Sequence, residues 1–420
     1  MKQKNILPFI LVTSLFFLWA LTSNLIPTLI PHLKKACRLT DFQSAFIDSA
    51  YWIAYFFIAI PAGLVMKNFG YKNAIIAGLV IAAIGTFLFY PAANARTFGF
   101  FLAALFVVAT GMTFLETAAN PYMTILGKAE TASQRLNFAQ AFNGLGAFIA
   151  TFFLSKVILS GKEITDETLK KLSPAQSDAL LTHEAQSVQL PYLVIGLVLL
   201  LVALIFVLTR FPAEKPETAR EKNNASDVSV LKNRQLRLGI LAQFFYVGAQ
   251  VCVSSFFIRY AKYAAGLKEL EAANYLGILL LGFMTGRYAG AFLMRFLRPA
   301  LLLGIYSLAN VGLLLFVIFE GGKFSVYALI GVEFFMSIMY PTIFALAIRG
   351  LGSKTKIASS FMVMAIVGGA LFPVLMGRIS DASTIQKAYL VPACCFLVVF
   401  LFSVKSKSAK ESVELALAGA

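Results

Sequence analysis

A series of long apolar runs, separated by short polar segments, constrains this chain more than any other feature of its sequence. A helix needs about 20 apolar residues to cross a bilayer. The chain is 59% hydrophobic and 13% charged, whereas average soluble chains are about 45–50% apolar and about 25% charged. We therefore expect an all-α integral membrane protein with twelve transmembrane helices. The predicted spans are 6–30, 43–65, 74–93, 98–126, 137–158, 190–211, 237–260, 273–295, 299–319, 325–348, 357–377 and 386–404.

The two halves of the chain resemble each other. The segment AGLVMK at 62–67 is echoed by GAFLMR at 290–295, and Asn120-Pro121 by Tyr340-Pro341, at nearly the same offset. These echoes favour a duplicated six-helix unit, as in many secondary transporters, over chance similarity between apolar helices. The predicted organisation is an N-terminal six-helix bundle at 1–211, a polar cytoplasmic linker at 212–236, a C-terminal bundle at 237–404 and a cytoplasmic tail at 405–420.

The net charge of +16 does not indicate a nucleic-acid partner, because most basic residues lie between the apolar runs. Basic residues in such positions set the orientation of the spans in the membrane. Their excess in alternate segments places both termini in the cytoplasm, although Lys34, Lys35 and Arg38 run against that rule. The run 6–30 is too long for a signal peptide and is expected to stay as a span. The four cysteines lack metal-ligand spacing, so we expect no metal site and no cofactor. No phosphate-binding loop is present, so energy must come from a gradient.

Glu116 is the clearest functional candidate, because a carboxylate at bilayer depth costs at least a few kcal/mol. Asn120 follows four residues later and shares its helical face. Pro121 removes a backbone donor and frees a carbonyl near Thr117. We favour Glu116 as a reversible proton carrier, with a structural, hydrogen-bonded carboxylate as the alternative.

Amides recur at spacing three on the fifth predicted span, at Asn137, Gln140 and Asn143. They share one helical face, and amides both donate and accept hydrogen bonds, as a polyhydroxylated ligand requires. The alternative is hydrogen bonding between helices.

The second predicted span carries Asp48, Tyr51, Trp52 and Tyr55 on one stripe. A carboxylate beside aromatic faces suits a sugar, although Tyr and Trp are also common at membrane interfaces. In the first span, Pro27 is expected to break or kink the helix near its outer end.

In the second half, Glu333 lies near the middle of the tenth span and is either a second titrating site or a partner for Arg287. Arg287 itself is most simply an anchoring residue between halves or loops. Gln250 and Asn274 add neutral polarity to spans seven and eight.

Several motifs together resemble the fucose:proton symporter family of the major facilitator superfamily. They are FFLWA (16–20), FLETAANP (114–121), LNFAQAFN (136–143), AQFFYVGAQ (242–250), IRYA (258–261), AANYL (272–276) and MSIMYPTIFALAI (336–348). The resemblance runs nearly end to end. It implies twelve helices in two pseudo-symmetric bundles, alternating access, and uptake of a sugar with protons across a bacterial inner membrane.

Mapped by motif, the resemblance places the family's protonatable glutamate on Glu116. It places sugar-facing positions on Asn24, Gln140, Asn143 and Asn274, with Trp19 as an aromatic wall. Our own reading adds Tyr51, Tyr55, Asn120 and Gln250 to the substrate site. One departure matters: the family prototype has an aspartate after its first-span Asn-Leu-Asn, where this chain has Asn24-Leu25-Ile26-Pro27. We expect Asp48 to replace that acid in proton coupling.

The expected function is import of a hexose or deoxyhexose, an L-fucose-like sugar, by proton symport, with the bilayer as surroundings and a monomer as the assembly. The alternative is a sodium-coupled or uncoupled carrier for glucose, galactose or an N-acetylated hexose. A multidrug exporter would need few amides in its cavity, and no catalytic triad or metal cluster supports an enzyme.

Overall fold

A computed structural model describes residues 6–25, 33, 37, 41–150, 172–211 and 227–418 of the chain. Within these ranges the regular structure is helical. In chain order the helices are α1 (Ile6–Ser23), α2 (Asp41–Ala95), α3 (Phe98–Ile125), α4 (Ala132–Ile149), α5 (Pro174–Gln186), α6 (Gln189–Leu208), α7 (Arg234–Ala265), α8 (Glu269–Leu293), α9 (Pro299–Phe319), α10 (Gly322–Met336), α11 (Met339–Ala347), α12 (Thr355–Met364), α13 (Gly368–Ala382), α14 (Ile385–Ala388) and α15 (Leu390–Ala418).

Ten helical stretches among the described residues are long and apolar enough to cross a membrane. One of them, Tyr51–Ala95, has 45 residues and belongs to a helix that is interrupted at Gly70. Gly70 has φ 82°, in the region that only glycine adopts readily, so the chain turns there between the second and third predicted spans. Large apolar side chains on α6 are exposed, including Leu190, Leu197 and Leu208, as expected of a surface that faces lipid.

The described chain divides into two compact units. The first contains Met1–Ala119 and Leu145–Glu214, and the second contains Asn120–Gly144 and Lys215–Ala420. The 120–144 segment, which lies in the first half of the sequence, therefore packs with the helices of the second half. The predicted domain boundaries at 211 and 237 remain predictions, since residues 212–226 of the linker lie outside the described ranges.

Small residues hold the helices of the first unit close together. A Cβ atom added to Gly111 on α3 would lie 2.4 Å from the backbone nitrogen of Ala82 on α2, and one added to Gly85 would lie 2.5 Å from that of Val108. Such distances exclude any larger residue, and close packing at small residues is the usual mode of helix association in membranes. Lys72 donates to the carbonyls of Val207 and Thr209 and so caps the C-terminal end of α6.

The second unit uses the same device on α8. Gly282, Gly286 and Gly290 recur every four residues and face α10 and the turn that follows it. A Cβ atom at Gly286 would lie 2.4 Å from the carbonyl oxygen of Phe334, and one at Gly290 would lie 2.2 Å from a methyl carbon of Ile338. The glycine stripe therefore fixes the register of α8 against α10.

One predicted helix is corrected. The tenth span, predicted as one helix at 325–348, is two helices, because α10 ends at Met336 and α11 begins at Met339. Pro341 has no N–H to donate to the carbonyl of Ser337, so the helical ladder is interrupted there. Pro121, by contrast, does not end α3, which continues to Ile125.

The predicted loop at 159–189 contains the helix α5, which the sequence analysis missed. Ser173 and Gln176 exchange side-chain and backbone hydrogen bonds before Pro174–Gln186, and this reciprocal pair is a capping box. The Ser-Pro-Ala-Gln sequence was the signal, since proline is favoured at the first helical position. Asp178 on α5 pairs with Arg96 at 2.5 Å and ties the helix to the end of α2.

Candidate functional site

In the first unit, an aromatic cluster joins α1 to α2. The indole nitrogen of Trp19 donates to the hydroxyl of Tyr55 at 3.0 Å. The hydroxyl of Tyr51 lies 3.0 Å from that of Tyr55 and 2.8 Å from Oγ of Ser23. Trp19, Tyr51 and Tyr55, which were predicted as substrate-binding residues, are therefore brought together, and Ser23 joins them. This connected set can donate to and accept from a hydroxylated ligand.

Glu116 is buried beside this cluster, with 2% of its surface exposed. It lies on α3 within electrostatic reach of both Tyr51 and Tyr55. The predicted depth of Glu116 in the membrane is thus matched by its burial among helices. A carboxylate in such surroundings loses its hydration, and uptake of a proton removes the cost of the buried charge.

The second unit holds a cluster of amides. Nε2 of Gln140 on α4 donates to Oδ1 of Asn120 on α3 at 3.0 Å. Asn137 donates to the hydroxyl of Thr342 on α11 at 3.0 Å, and both Asn137 and Gln140 are buried. The predicted amide face is present, and Asn137 makes the helix-to-helix hydrogen bond that was the alternative reading for this face. Asn120, Gln140 and Asn143 remain the candidates for a ligand.

Arg287 on α8 completes the amide cluster. Its Nη1 donates to the carbonyl oxygen of Gln140 at 2.5 Å and lies 3.3 Å from Oε1 of the same residue and 3.4 Å from Oδ1 of Asn143. Its Nε donates to the carbonyl of Ser337 at 3.0 Å. That carbonyl is the one that Pro341 leaves without its helical donor. The sequence signal for this contact was the proline, but nothing in the sequence identified Arg287 as its donor.

Arg135 shapes the 120–144 segment from inside. Its guanidinium donates to the carbonyls of Thr124, at 2.6 Å, and Lys128, at 2.7 Å. These carbonyls belong to the end of α3 and the turn after it, where helical donors are lacking. A Cβ atom at Gly127 would lie 2.8 Å from the same guanidinium, so a larger residue there would have to displace the Arg135 side chain. Arg135 therefore cross-links the end of α3 to the turn that leads into α4.

Three further predicted site residues, Asn24, Gln250 and Asn274, make no hydrogen bond to either cluster within the described part of the chain. Asn24 is half-buried and donates through its amide to the carbonyl of Ala20 on its own helix. Gln250 is half-buried on α7, and Asn274 is exposed near the start of α8. Asp48 lies on α2, but its side chain is outside the described part of the chain, as is Pro27.

A cavity of about 460 Å³ in the second unit lies beside the turn between α3 and α4. Its lining includes Ser133, Arg298 and Arg349, and none of the predicted proton-coupling or sugar-binding residues. We therefore do not assign it to the candidate site.

The helices, the buried acid and the two polar clusters define a multi-pass membrane carrier of the secondary-transporter class. Residues 11–373 match the family model described as Major Facilitator Superfamily. The chain is 44% identical over 409 residues to an L-fucose-proton symporter of Escherichia coli, covering 96% of this chain and 93% of that protein. It is 38% identical over 400 residues to a glucose/galactose transporter of Brucella abortus, covering 94% and 93%.

Solved structures agree. A crystal structure of the E. coli fucose:proton symporter matches with a TM-score of 0.90 at 42% identity, covering 96% of this chain and 99% of that one. A crystal structure of a Major Facilitator Superfamily transporter in the outward conformation matches with a TM-score of 0.91 at 43% identity and the same coverage. The chain belongs to the Major Facilitator Superfamily and, within it, to the family of the fucose:proton symporters. This confirms the predicted family, the fold of two six-helix halves and the prediction that the protein is not an enzyme.

Proposed function

We propose that this protein imports a hexose or deoxyhexose, an L-fucose-like sugar, by proton symport through alternating access. The observation that carries the proposal is the burial of Glu116, 2% exposed, on a membrane-spanning helix beside a cluster of hydroxyl groups. Its relatives include L-fucose-proton symporters and glucose/galactose transporters, which support a sugar as the solute.

Glu116 is the proposed site of the coupled proton. A proton on this carboxyl group neutralises the buried charge and favours the conformation that reorients with sugar bound. Because binding free energies are linked reciprocally, bound sugar then raises the affinity for the proton by the same factor. Asp48 is the proposed second member of the proton pathway, in place of the acid that the family prototype carries after its first-span asparagine.

The proposed sugar contacts are amides and aromatic rings. Asn120, Gln140 and Asn143 supply donors and acceptors for hydroxyl groups, and Trp19, Tyr51 and Tyr55 supply ring faces for the C–H surface of a pyranose. Asn24, Gln250 and Asn274 complete the proposed set. The hydrogen bond between Gln140 and Asn120 means that sugar must exchange with an existing amide contact rather than fill an empty position.

The proposed function is tested by measuring sugar uptake into proteoliposomes that contain the purified protein. We expect an imposed proton gradient, acidic outside, to drive accumulation of labelled L-fucose, with D-galactose, D-glucose and N-acetylglucosamine as competitors. Glu116→Gln is expected to lose accumulation and to keep sugar exchange between equal concentrations, since exchange needs no net proton movement. The exposed Glu130 provides a matched control, and Glu130→Gln should accumulate sugar like the wild type. Undiminished accumulation by the Glu116→Gln variant would refute the assignment.

The second candidate function is a sodium-coupled or uncoupled carrier for glucose, galactose or an N-acetylated hexose. It is favoured by Pro27, which stands near the position of the family aspartate, and by the glucose/galactose relatives. Measuring uptake with a proton gradient, with a sodium gradient and with no gradient distinguishes proton-coupled, sodium-coupled and uncoupled transport. Asp48→Asn tests the displaced acid, because pH-dependent accumulation that survives this change removes Asp48 from the pathway.

We further propose an inner-membrane protein that is monomeric and has both termini in the cytoplasm. The excess of Lys and Arg in alternate polar segments supports this orientation. A cysteine placed at either terminus should react with a membrane-impermeant reagent only after the inner membrane is opened. Light scattering of purified protein should give the mass of one chain, 45.8 kDa, once detergent is subtracted.

A further inference from the structure

Glu333 on α10 is a buried acid that the proposed sugar and proton sites do not use. It is 1% exposed, and with Glu116 it is one of two buried carboxylates among the described residues. The hydroxyl of Ser254 on α7 donates to its Oε1 at 2.7 Å. A carboxylate at this depth is costly, so its presence needs a chemical reason.

The glycine stripe of α8 brings Arg287 close to the part of α10 that carries Glu333. Gly286, next to Arg287, meets the carbonyl of Phe334, which is next to Glu333. Arg287 donates to the carbonyl of Ser337, four residues after Glu333. Four residues correspond to about 6 Å along a helix, which is within the reach of an arginine side chain.

Arg287 nevertheless does not pair with Glu333 in this structure, where both residues are described. Its Nη1 is held by the carbonyl of Gln140, which belongs to the 120–144 segment. The ion pair with Arg287, one of the two interpretations of Glu333 in the sequence analysis, is therefore not formed while this segment is in place. The carboxyl group keeps one hydroxyl donor and no cation bound to it.

The other titratable groups near Glu333 in the described part of the chain are tyrosines. Tyr246 on α7 and Tyr389 before α15 lie within its electrostatic reach, as does Arg287. On α9, Tyr306 packs on Phe334 and Phe335. Tyrosine has an ordinary pKa of about 10 and is neutral at physiological pH. Arg287 is thus the charged group that these described elements bring near Glu333. A movement of Arg287 therefore changes the charge that Glu333 meets.

We propose that Glu333 is a second proton-binding site of the carrier, which holds a proton while Arg287 is bound to Gln140 and releases it when Arg287 pairs with the carboxylate. In the exchange, the O–H bond of the carboxylic acid breaks, the proton passes to water, and an ion pair with the guanidinium forms. The inference rests on the proposed function, because it adds a proton to the same transport cycle. In this proposal, Glu333 releases its proton when the 120–144 segment separates from Arg287.

The site is tested directly by infrared spectra of the full-length purified protein without sugar, in which the spectrum of each variant is subtracted from that of the wild type. We expect wild type to show the carbonyl stretch of a protonated carboxylic acid that is missing in Glu333→Gln. The matched control is Glu320→Gln, which changes an exposed acid at the end of α9 and should leave this band unchanged. A Glu333→Gln spectrum that superimposes on that of wild type overturns the proposal.

Ser254→Ala provides a second, milder variant in case Glu333→Gln does not fold. It removes the hydroxyl donor to Oε1 and is expected to shift the same band, whereas an unshifted band contradicts the assignment to Glu333. In proteoliposomes, Glu333→Gln is expected to lower the number of protons carried with each sugar by one, and an unchanged ratio again overturns the proposal. The spectra do not depend on sugar, so failure of sugar transport in wild type would refute the proposed function separately.

Discussion

Replacing Arg287 with lysine should weaken the attachment of the 120–144 segment to the rest of the second unit. Arg287 donates at once to the carbonyls of Gln140, at 2.5 Å, and Ser337, at 3.0 Å. Lysine has one nitrogen on a flexible stem and cannot reproduce the planar fork. At least one charge-assisted hydrogen bond is lost, which costs about 1.5–3 kcal/mol. The equilibrium for releasing the segment should then shift by roughly 10- to 150-fold.

Hydrogen–deuterium exchange measures this shift. Amides at 135–144 exchange through local opening, so their exchange should accelerate in Arg287→Lys by the same factor, while amides of α6 in the first unit should not change. The matched control is Arg295→Lys, near the end of the same helix. Arg295 is exposed with its guanidinium 5.6 Å from the ring of Phe292, so its replacement should cost less than about 0.5 kcal/mol. Equal exchange at 135–144 in Arg287→Lys and wild type would refute the reasoning.

Three further predictions follow from the packing. Gly111→Val should lower the thermal midpoint and the yield of folded protein, by an overpacking cost of about 1–3 kcal/mol, because its Cβ would lie 2.4 Å from Ala82 N; a wild-type midpoint would contradict this. Asn137→Ala and Thr342→Val should be coupled by about 0.5–1.5 kcal/mol in a double-mutant cycle of thermal unfolding, and additive effects would contradict the 3.0 Å hydrogen bond. Burial raises the pKa of the Cys37 thiol, which lies outside the predicted spans, against the lowering effect of Arg96. The pH midpoint of its maleimide labelling, followed by mass spectrometry, should lie above that of an ordinary cysteine, about 8.5, and a midpoint at or below that of an ordinary cysteine would contradict this.

The spans were predictable because they depend on local composition. A run of about 20 apolar residues identifies a crossing helix whatever it packs against, and α9 begins and ends where the sequence placed it, at 299 and 319. The break at 337–338 was also in reach, since Pro341 removes a donor to Ser337. A proline does not decide the outcome by itself, because Pro121, which removes a donor in the same way, leaves α3 continuous.

The partners of the polar residues were not predictable in the same way. Helical periodicity places Asn137, Gln140 and Asn143 on one face but does not say which helix that face meets. The contact of Gln140 with Arg287 joins residues 147 apart, and it depends on the glycine stripe of α8 fixing that helix against α10. Such contacts follow from packing, which a single sequence specifies only indirectly.

The two buried acids are not copies of each other. When the repeat is aligned on its prolines, with Pro121 matching Pro341, the residue equivalent to Glu116 is Met336, and Glu333 lies three residues earlier. Three residues correspond to about 4.5 Å along a helix, so the two acids lie at different heights and meet different neighbours. Glu116 lies within reach of Tyr51 and Tyr55, whereas Glu333 accepts from Ser254 and lies beside a guanidinium that is bound elsewhere. Duplication therefore does not explain the burial of Glu333. Its own surroundings must supply the reason, and they include Arg287 of α8, which donates to the carbonyl of Ser337 one helical turn after Glu333.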